Sequence, residues 1–237
     1  NNEGQIYASA IISLIRAETA LVSIGYANNE IGSILPIAEI GKGILRLRKM
    51  HANWPVVFHT DACQAVIYCP MLVEQLHVDL LTLNGGKIGG PKGVGALYSR
   101  RGIFLEPLLA GGGQEGGVRA GTENVPAIVG FGIASEMLDK EKENICEKMR
   151  ELQKFAWEKI SDVLPDSTLF GPQIGVDRLP NTLFFRIPGI EAETLLLYLS
   201  EKGIYCSAGS ACSLKSAEAS HVLRAIGVSE KEAKECV

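Results

Sequence analysis

Blocks of apolar and polar residues along the chain predict helix and strand by turns. Between Gln5 and Arg16, Ile11, Ile12, Leu14 and Ile15 stand among polar residues as in a short helix, and ALVSIGY at 20–26 is apolar and β-rich enough for a buried strand. IAEIGKGILRLRKM at 37–50 has helical spacing, with basic residues in its last turns where they complement the helix dipole. PVVF at 55–58 and VDLLTL at 78–83 read as two further strands. Strands separated by helical segments of this length imply crossover connections, and so an α/β fold with a mostly parallel sheet flanked by helices.

From Leu83 to Gly121 glycine crowds the chain, a density suited to a loop that approaches a ligand and out of place inside regular elements. Residues 125–163 then turn helical, with a domain boundary expected near Asp139, giving a large domain over 1–139 and a smaller α/β domain over 140–237. In the smaller one, Asn181–Ile187 and Ile204–Cys206 read as strands, and Glu191–Lys202 and Ala217–Ile226 as helices.

Composition narrows the function classes. The net charge of -4 comes from scattered charges of both signs, with no basic block to follow a phosphate backbone, so nucleic acid is not an expected partner. No stretch approaches the roughly 20 apolar residues that span a bilayer, and Asn1-Asn2-Glu3-Gly4 is not a signal peptide; a cytoplasmic protein without a membrane partner is expected. Six cysteines (63, 69, 146, 206, 212 and 236) lack the spacing of a disulfide scaffold or a zinc site, so no metal is expected and most should be buried as small hydrophobes. The chain starts without Met and stops without a helix-terminating residue, and reads as part of something longer.

Chemistry gathers where strands end. Asp61 follows the 55–58 strand at its carboxyl end, the side on which open α/β sheets bind ligands, and Gln64 lies three residues on. Alone, such an Asp is more often a helix cap. Its company alters that: Asn84-Gly85-Gly86-Lys87 follows the next strand, and a lysine among glycines can be held close to a bound group. A nucleotide P-loop needs Gly-Lys followed by Ser or Thr, whereas Lys87 precedes Ile88 and Lys92 precedes Gly93. The remaining lysine chemistry is a Schiff base with an Asp partner for a pyridinium nitrogen, which pyridoxal phosphate satisfies.

The chain resembles the class V aminotransferase group of pyridoxal-phosphate enzymes, and within it the cysteine desulfurases and their selenocysteine lyase relatives. The landmarks are ANNEIGSILPI at 27–37, HTDACQA at 59–65, GGKIGGPKGVGALY at 85–98, GGGQEGGVRAGTENV at 111–125, LPNTLFF at 179–185, SAGSACS at 207–213 and SHVLRAIG at 220–227. The resemblance implies a type I pyridoxal-phosphate transferase fold. It implies that Lys87 holds the cofactor and moves the substrate's α-proton, that Asp61 holds the ring nitrogen protonated, and that Gln64 bonds the ring's phenolic oxygen. Asn29 would lie beside the cofactor and the substrate carboxylate, Asn84 would be a cofactor-side residue, and Thr122 would reach the cofactor phosphate of the other subunit of a homodimer. Cys212, in a run of small residues suited to presenting a thiol, would take sulfur from L-cysteine, leaving alanine, and pass it to an acceptor protein such as an iron–sulfur scaffold.

Relatives usually carry Ser-Gly-His-Lys where this chain has Asn84-Gly85-Gly86-Lys87, which predicts a weaker hold on the cofactor phosphate. They also carry a phosphate loop and a ring-stacking His upstream, and a carboxylate-binding Arg downstream, of the segment present here. Selenocysteine lyase, another class V activity, and a non-catalytic scaffold in sulfur transfer remain alternatives.

Overall fold

The apolar runs near 20–26, 55–58 and 78–83 form three parallel strands: β1 (Leu21–Gly25), β2 (Val57–Asp61) and β3 (Leu80–Asn84). Before and between them come α1 (Ala8–Leu14), α2 (Ile37–Met50) and the single-turn α3 (Val73–Leu76). A fourth strand, β4 (Gly95–Ser99), pairs antiparallel with β3, completing a sheet of order β1-β2-β3-β4. The α/β class and mostly parallel sheet are as the sequence predicts; β4 is not. It lies inside the glycine-rich stretch read as loop, its five residues all exposed on an edge strand. Gly95 is required there, because a Cβ at that position would stand 2.5 Å from the Leu83 carbonyl oxygen.

This computed structural model describes residues 1–52, 54–209 and 220–237. The chain forms two units: a sheet unit of 8–26 and 37–142, and a carboxyl-terminal unit of 1–7, 27–36 and 143–237. The long α4 (Val125–Val163) contributes to both. Among the described residues no helix is long and apolar enough to cross a membrane.

In the sheet unit, α2 turns Ile37, Ile40, Gly41 and Ile44 inward, while β2 buries Phe58 and Thr60 on one face and carries Val57, His59 and Asp61 on the other. The amino end of β3 is fixed by Asp79, which is 1% exposed. Its carboxylate pairs with Arg48 of α2 and, at 2.8 Å, with Arg100 beyond β4, and it accepts from the Phe58 amide of β2 at 2.8 Å.

The carboxyl-terminal unit holds β5 (Thr168–Leu169) paired antiparallel with β6 (Phe185–Arg186), then α5 (Ala192–Glu201), α6 (His221–Ala225) and α7 (Glu230–Ala233). The last residues pair with β6 through reciprocal bonds between Phe185 and Val237, each 2.9 Å. Ile31, Phe184, Leu223, Ile226 and Cys236 form its buried core. Two expectations are corrected here. The strand expected over Asn181–Ile187 shrinks to Phe185–Arg186, and β5 and α7 have no counterpart in the sequence reading. Ile204–Cys206 is not a strand: Gly203 turns at φ +75° and the Ile204 amide bonds back to the Leu199 carbonyl, so the apolar triplet closes α5. Of the helix expected over 217–226, residues 217–219 lie outside the described residues and α6 covers 221–225.

Candidate active site

Strand pairing brings Asp61 and Asn84 to one edge of the sheet, with Gln64 and Lys87 a few residues beyond. Asp61 is the last residue of β2 rather than the first beyond it, held by register with Gly25 on β1 and Thr82 on β3. Its carbonyl accepts from the Tyr26 amide and the Thr82 carbonyl accepts from Ala62, at 2.8 and 3.0 Å. The exposed Asp61 carboxylate accepts from the Cys63 amide at 2.9 Å, a tight turn that carries the chain on to the half-buried Gln64.

On the neighbouring strand, Asn84 ends β3 and caps a 3₁₀ turn over Gly85–Lys87, accepting from the Gly86 amide at 2.9 Å. The turn aims an exposed Lys87 off the same end of the sheet that carries Asp61. Gly85 is needed for close packing, since a Cβ there would stand 2.9 Å from Val94 and 3.2 Å from Phe131. Gly86 is different: a Cβ would meet only the Asn84 side-chain oxygen, at 3.3 Å, so the position has room for a side chain.

Electrostatics tie these groups together. The Cys63 thiol is pushed up to about 12, first by burial, then by its hydrogen bond to and the charge of Asp61, with the Lys87 ammonium pulling the other way. Cys63 is therefore protonated at neutral pH.

Asn29 belongs to the other unit, exposed in the loop 27–36. Its neighbours fix that loop. The Asn28 side chain accepts from the amides of Glu30 and Ile31 at 2.9 and 3.0 Å, and the buried Glu30 accepts from the Ser220 hydroxyl at 2.5 Å. Arg178 donates to the carbonyls of Phe170, Pro172 and Thr182, while Asp177 and Leu179 beside it exchange backbone bonds with Ile34 and Gly32. Thr122 is exposed in the approach to α4, just before Asn124, which caps that helix. Cys212 lies outside the described residues. Of the described cysteines, Cys69, Cys146 and Cys236 are buried, Cys63 half-buried and Cys206 exposed.

Sequence reasoning missed His59, whose ring bridges hydroxyls on β1 and β3 at 2.8 and 2.7 Å. Its signal was a polar residue on Asp61's own face of β2, two positions earlier.

A lysine and a carboxylate at the carboxyl edge of a mostly parallel sheet suit the pyridoxal-phosphate class of enzymes. Within that class the chain belongs to the class-V aminotransferase family, whose profile (Aminotransferase class-V) matches residues 1–231. It is 42% identical over 228 residues to the cysteine desulfurase IscS of Dictyoglomus turgidum, covering 96% of this chain and 56% of that protein. To a cysteine desulfurase of Nostoc it is 44% identical, covering 96% of this chain and 55% of the relative. Among solved structures, the NifS-like protein from Rickettsia africae superposes with a TM-score of 0.85 at 34% identity, over 100% of this chain and 61% of that one. A structure of SspA in complex with cysteine gives a TM-score of 0.78 at 34% identity, over 100% of this chain and 62% of that one. The chain thus spans a little over half the length of the curated relatives it matches.

The residues present suit the family's cofactor. The edge offers an amine, an acceptor carboxylate and an amide at the ends of adjoining strands.

Proposed function

We propose that the protein containing this chain is a cysteine desulfurase that takes sulfur from L-cysteine and delivers it to an acceptor protein, such as a scaffold for iron–sulfur clusters. The observation that carries the reading is the shared edge of Asp61 and Lys87 in a chain 42–44% identical to cysteine desulfurases. When bound, pyridoxal phosphate supplies an electrophilic carbon for the substrate amine and a sink for the electron pair left at the α-carbon. Lys87 would hold the cofactor and accept the substrate's α-proton. The Asp61 carboxylate would accept a hydrogen bond from the ring nitrogen and keep it protonated, and the Gln64 amide would donate to the ring oxygen. Asn29 would orient the substrate carboxylate, Asn84 would support the cofactor side of the turn, and Thr122 would reach the phosphate of the partner subunit's cofactor in a homodimer.

The Cys212 thiolate would attack the substrate sulfur. A sulfur–sulfur bond forms, the carbon–sulfur bond breaks with its electron pair going to carbon, and protonation yields alanine and a persulfide on Cys212. We place this chemistry in the cytoplasm.

The test uses the full-length protein with pyridoxal phosphate and L-cysteine, following alanine release and the mass of the Cys212 peptide. Alanine together with one added sulfur at Cys212, both lost in Lys87→Ala, is the expected result. A yellow protein that makes no alanine but changes colour with another amino acid would keep the cofactor and discard the substrate. Neither colour nor alanine would discard the enzyme.

A further inference from the structure

Asp61 and Lys87 must engage opposite parts of one rigid ring, and the two residues stand on different strands. Their spacing depends on how firmly β2 and β3 are held at their last residues, where parallel pairing has least support. His59 lies two residues back from the end of β2 and reaches toward that point on β3. It shares the Asp61 face of β2, its Nδ1 lies 2.8 Å from Ser23 Oγ on β1, and its Nε2 lies 2.7 Å from Thr82 Oγ1 on β3. Each hydroxyl can donate or accept, so both bonds stand in either imidazole tautomer. Thr82 is the register partner of Asp61, its carbonyl accepts from Ala62 immediately after Asp61, and it precedes Lys87 by five positions along the chain. One side chain therefore braces three strands just below the residues of the proposed site.

We propose that His59 is a positioning residue: the Ser23–His59–Thr82 bridge fixes the separation of Asp61 and Lys87 and so sets how well the edge accepts the cofactor ring. The inference rests on the cofactor reading above. A site held loosely by its supporting residues loses affinity because the bound geometry must be ordered at the moment of binding.

The Thr82 hydroxyl is the piece to remove, since Thr82→Val keeps the side chain's shape and Thr82→Ser restores the oxygen. In the full-length protein, Thr82→Val is expected to raise the dissociation constant for pyridoxal phosphate about tenfold, the scale of one orphaned hydrogen bond. It is also expected to move the visible band of the bound cofactor, which responds to the ring nitrogen's protonation. Thr82→Ser should return both to within about twofold of the parent. Ser23→Ala, which leaves the β2–β3 half of the bridge intact, should have the smaller effect and serves if Thr82→Val does not fold. Parental affinity and an unmoved band in Thr82→Val would overturn the proposal. Hydrogen exchange at the Ala62 and Cys63 amides, measured without cofactor, separates the two readings. If the parent binds no pyridoxal phosphate, the cofactor reading fails, while faster exchange in Thr82→Val still supports the brace and unchanged exchange overturns it.

Discussion

Asp61 and Lys87 leave the ends of paired strands, whereas Asn29 stands in a ten-residue loop whose shape is set by side chains reaching to backbone. Each arrangement has a buried charge at its root, of opposite sign. In the sheet unit Asp79 gathers donors: Arg48, Arg100 and the Phe58 amide, joining α2, β2 and the open end of the β3–β4 pair. In the carboxyl-terminal unit Arg178 gathers acceptors, the carbonyls of Phe170, Pro172 and Thr182, and through its neighbours pins the Asn29 loop. Asp79 is compensated by full charges and Arg178 by dipoles. Burial accordingly lowers Arg178 to about 10, below the ordinary arginine value. A sheet can be organised by one ionic knot because its ladder supplies most of the backbone bonds; a loop needs its knot to supply those bonds itself.

The largest expected effect comes from removing the anion. Asp79→Ala strands the largely buried Arg48 guanidinium and the Phe58 amide while the half-exposed Arg100 turns to water, and should cost about 3 kcal/mol, the low end for breaking a buried ion pair from one side. The two tryptophans make the comparison measurable, because Trp54 lies in the sheet unit and Trp157 in the other, 5.8 Å from Phe185. In single-tryptophan variants, the urea midpoint seen by Trp54 should fall more than that seen by Trp157. Equal falls would mean that the two units unfold as one and that the contrast has no energetic content.

Removing the cation is next. Arg178→Met withdraws donors from three carbonyls but leaves no buried charge behind, so a cost of about 2 kcal/mol is expected, registered chiefly by Trp157. Arg178→Lys should recover part of it, because an ammonium can reach some of those oxygens but lacks the planar fork. A loss as large as that of Asp79→Ala would break the comparison, showing that carbonyl dipoles hold a charge as tightly as counter-ions do.

The same contrast explains what could be read from sequence. Strands β2 and β3 were legible because VVF and LLTL are apolar runs, the first stopping three residues before Asp61 and the second just before Asn84, and α2 was legible to the residue from its spacing and basic end. β4 was hidden because its pairing is dictated by the turn that Gly89 and Gly93 make at positive φ, so a glycine-rich sequence became a hairpin. Asp79, Arg178 and His59 were missed because each is a lone polar residue that no periodicity marks: the partners of Asp79 and His59 are distant in sequence, and Arg178 bonds carbonyls four to eight residues away that only the folded loop brings round it. The run IYC at 204–206 misled in the opposite sense, since apolar character without a partner strand leaves a helix end. Lys87 and Asp61 could be argued from strand ends and glycine chemistry, while the roles of Asn29, Thr122 and Cys212 came only from resemblance.

The smallest effect tests whether partly exposed charges matter in the carboxyl-terminal unit at all. Arg186 donates to Glu232 and Glu235 at 2.6 Å each, linking β6 to the last residues of the chain. Its hydrogen bond, with that from the Gly189 amide, holds Glu235 below the usual carboxylate value, and the Ser229 hydroxyl and amide, then Arg186, do the same for Glu232. Because both carboxyls are more acidic folded than unfolded, their contribution is present above the ordinary 4.5 and is lost as the pH falls through their lower folded values. Glu235→Gln removes one of the two. The fall in the Trp157 urea midpoint on acidification below 4.5 should be shallower in this variant than in the parent, and the Trp54 transition should be indifferent to it. Salt should narrow the difference, since exposed pairs are screened. If the acid limb keeps its slope in Glu235→Gln, the charges that organise this unit are buried ones alone, and the Arg178 knot stands without help from the surface.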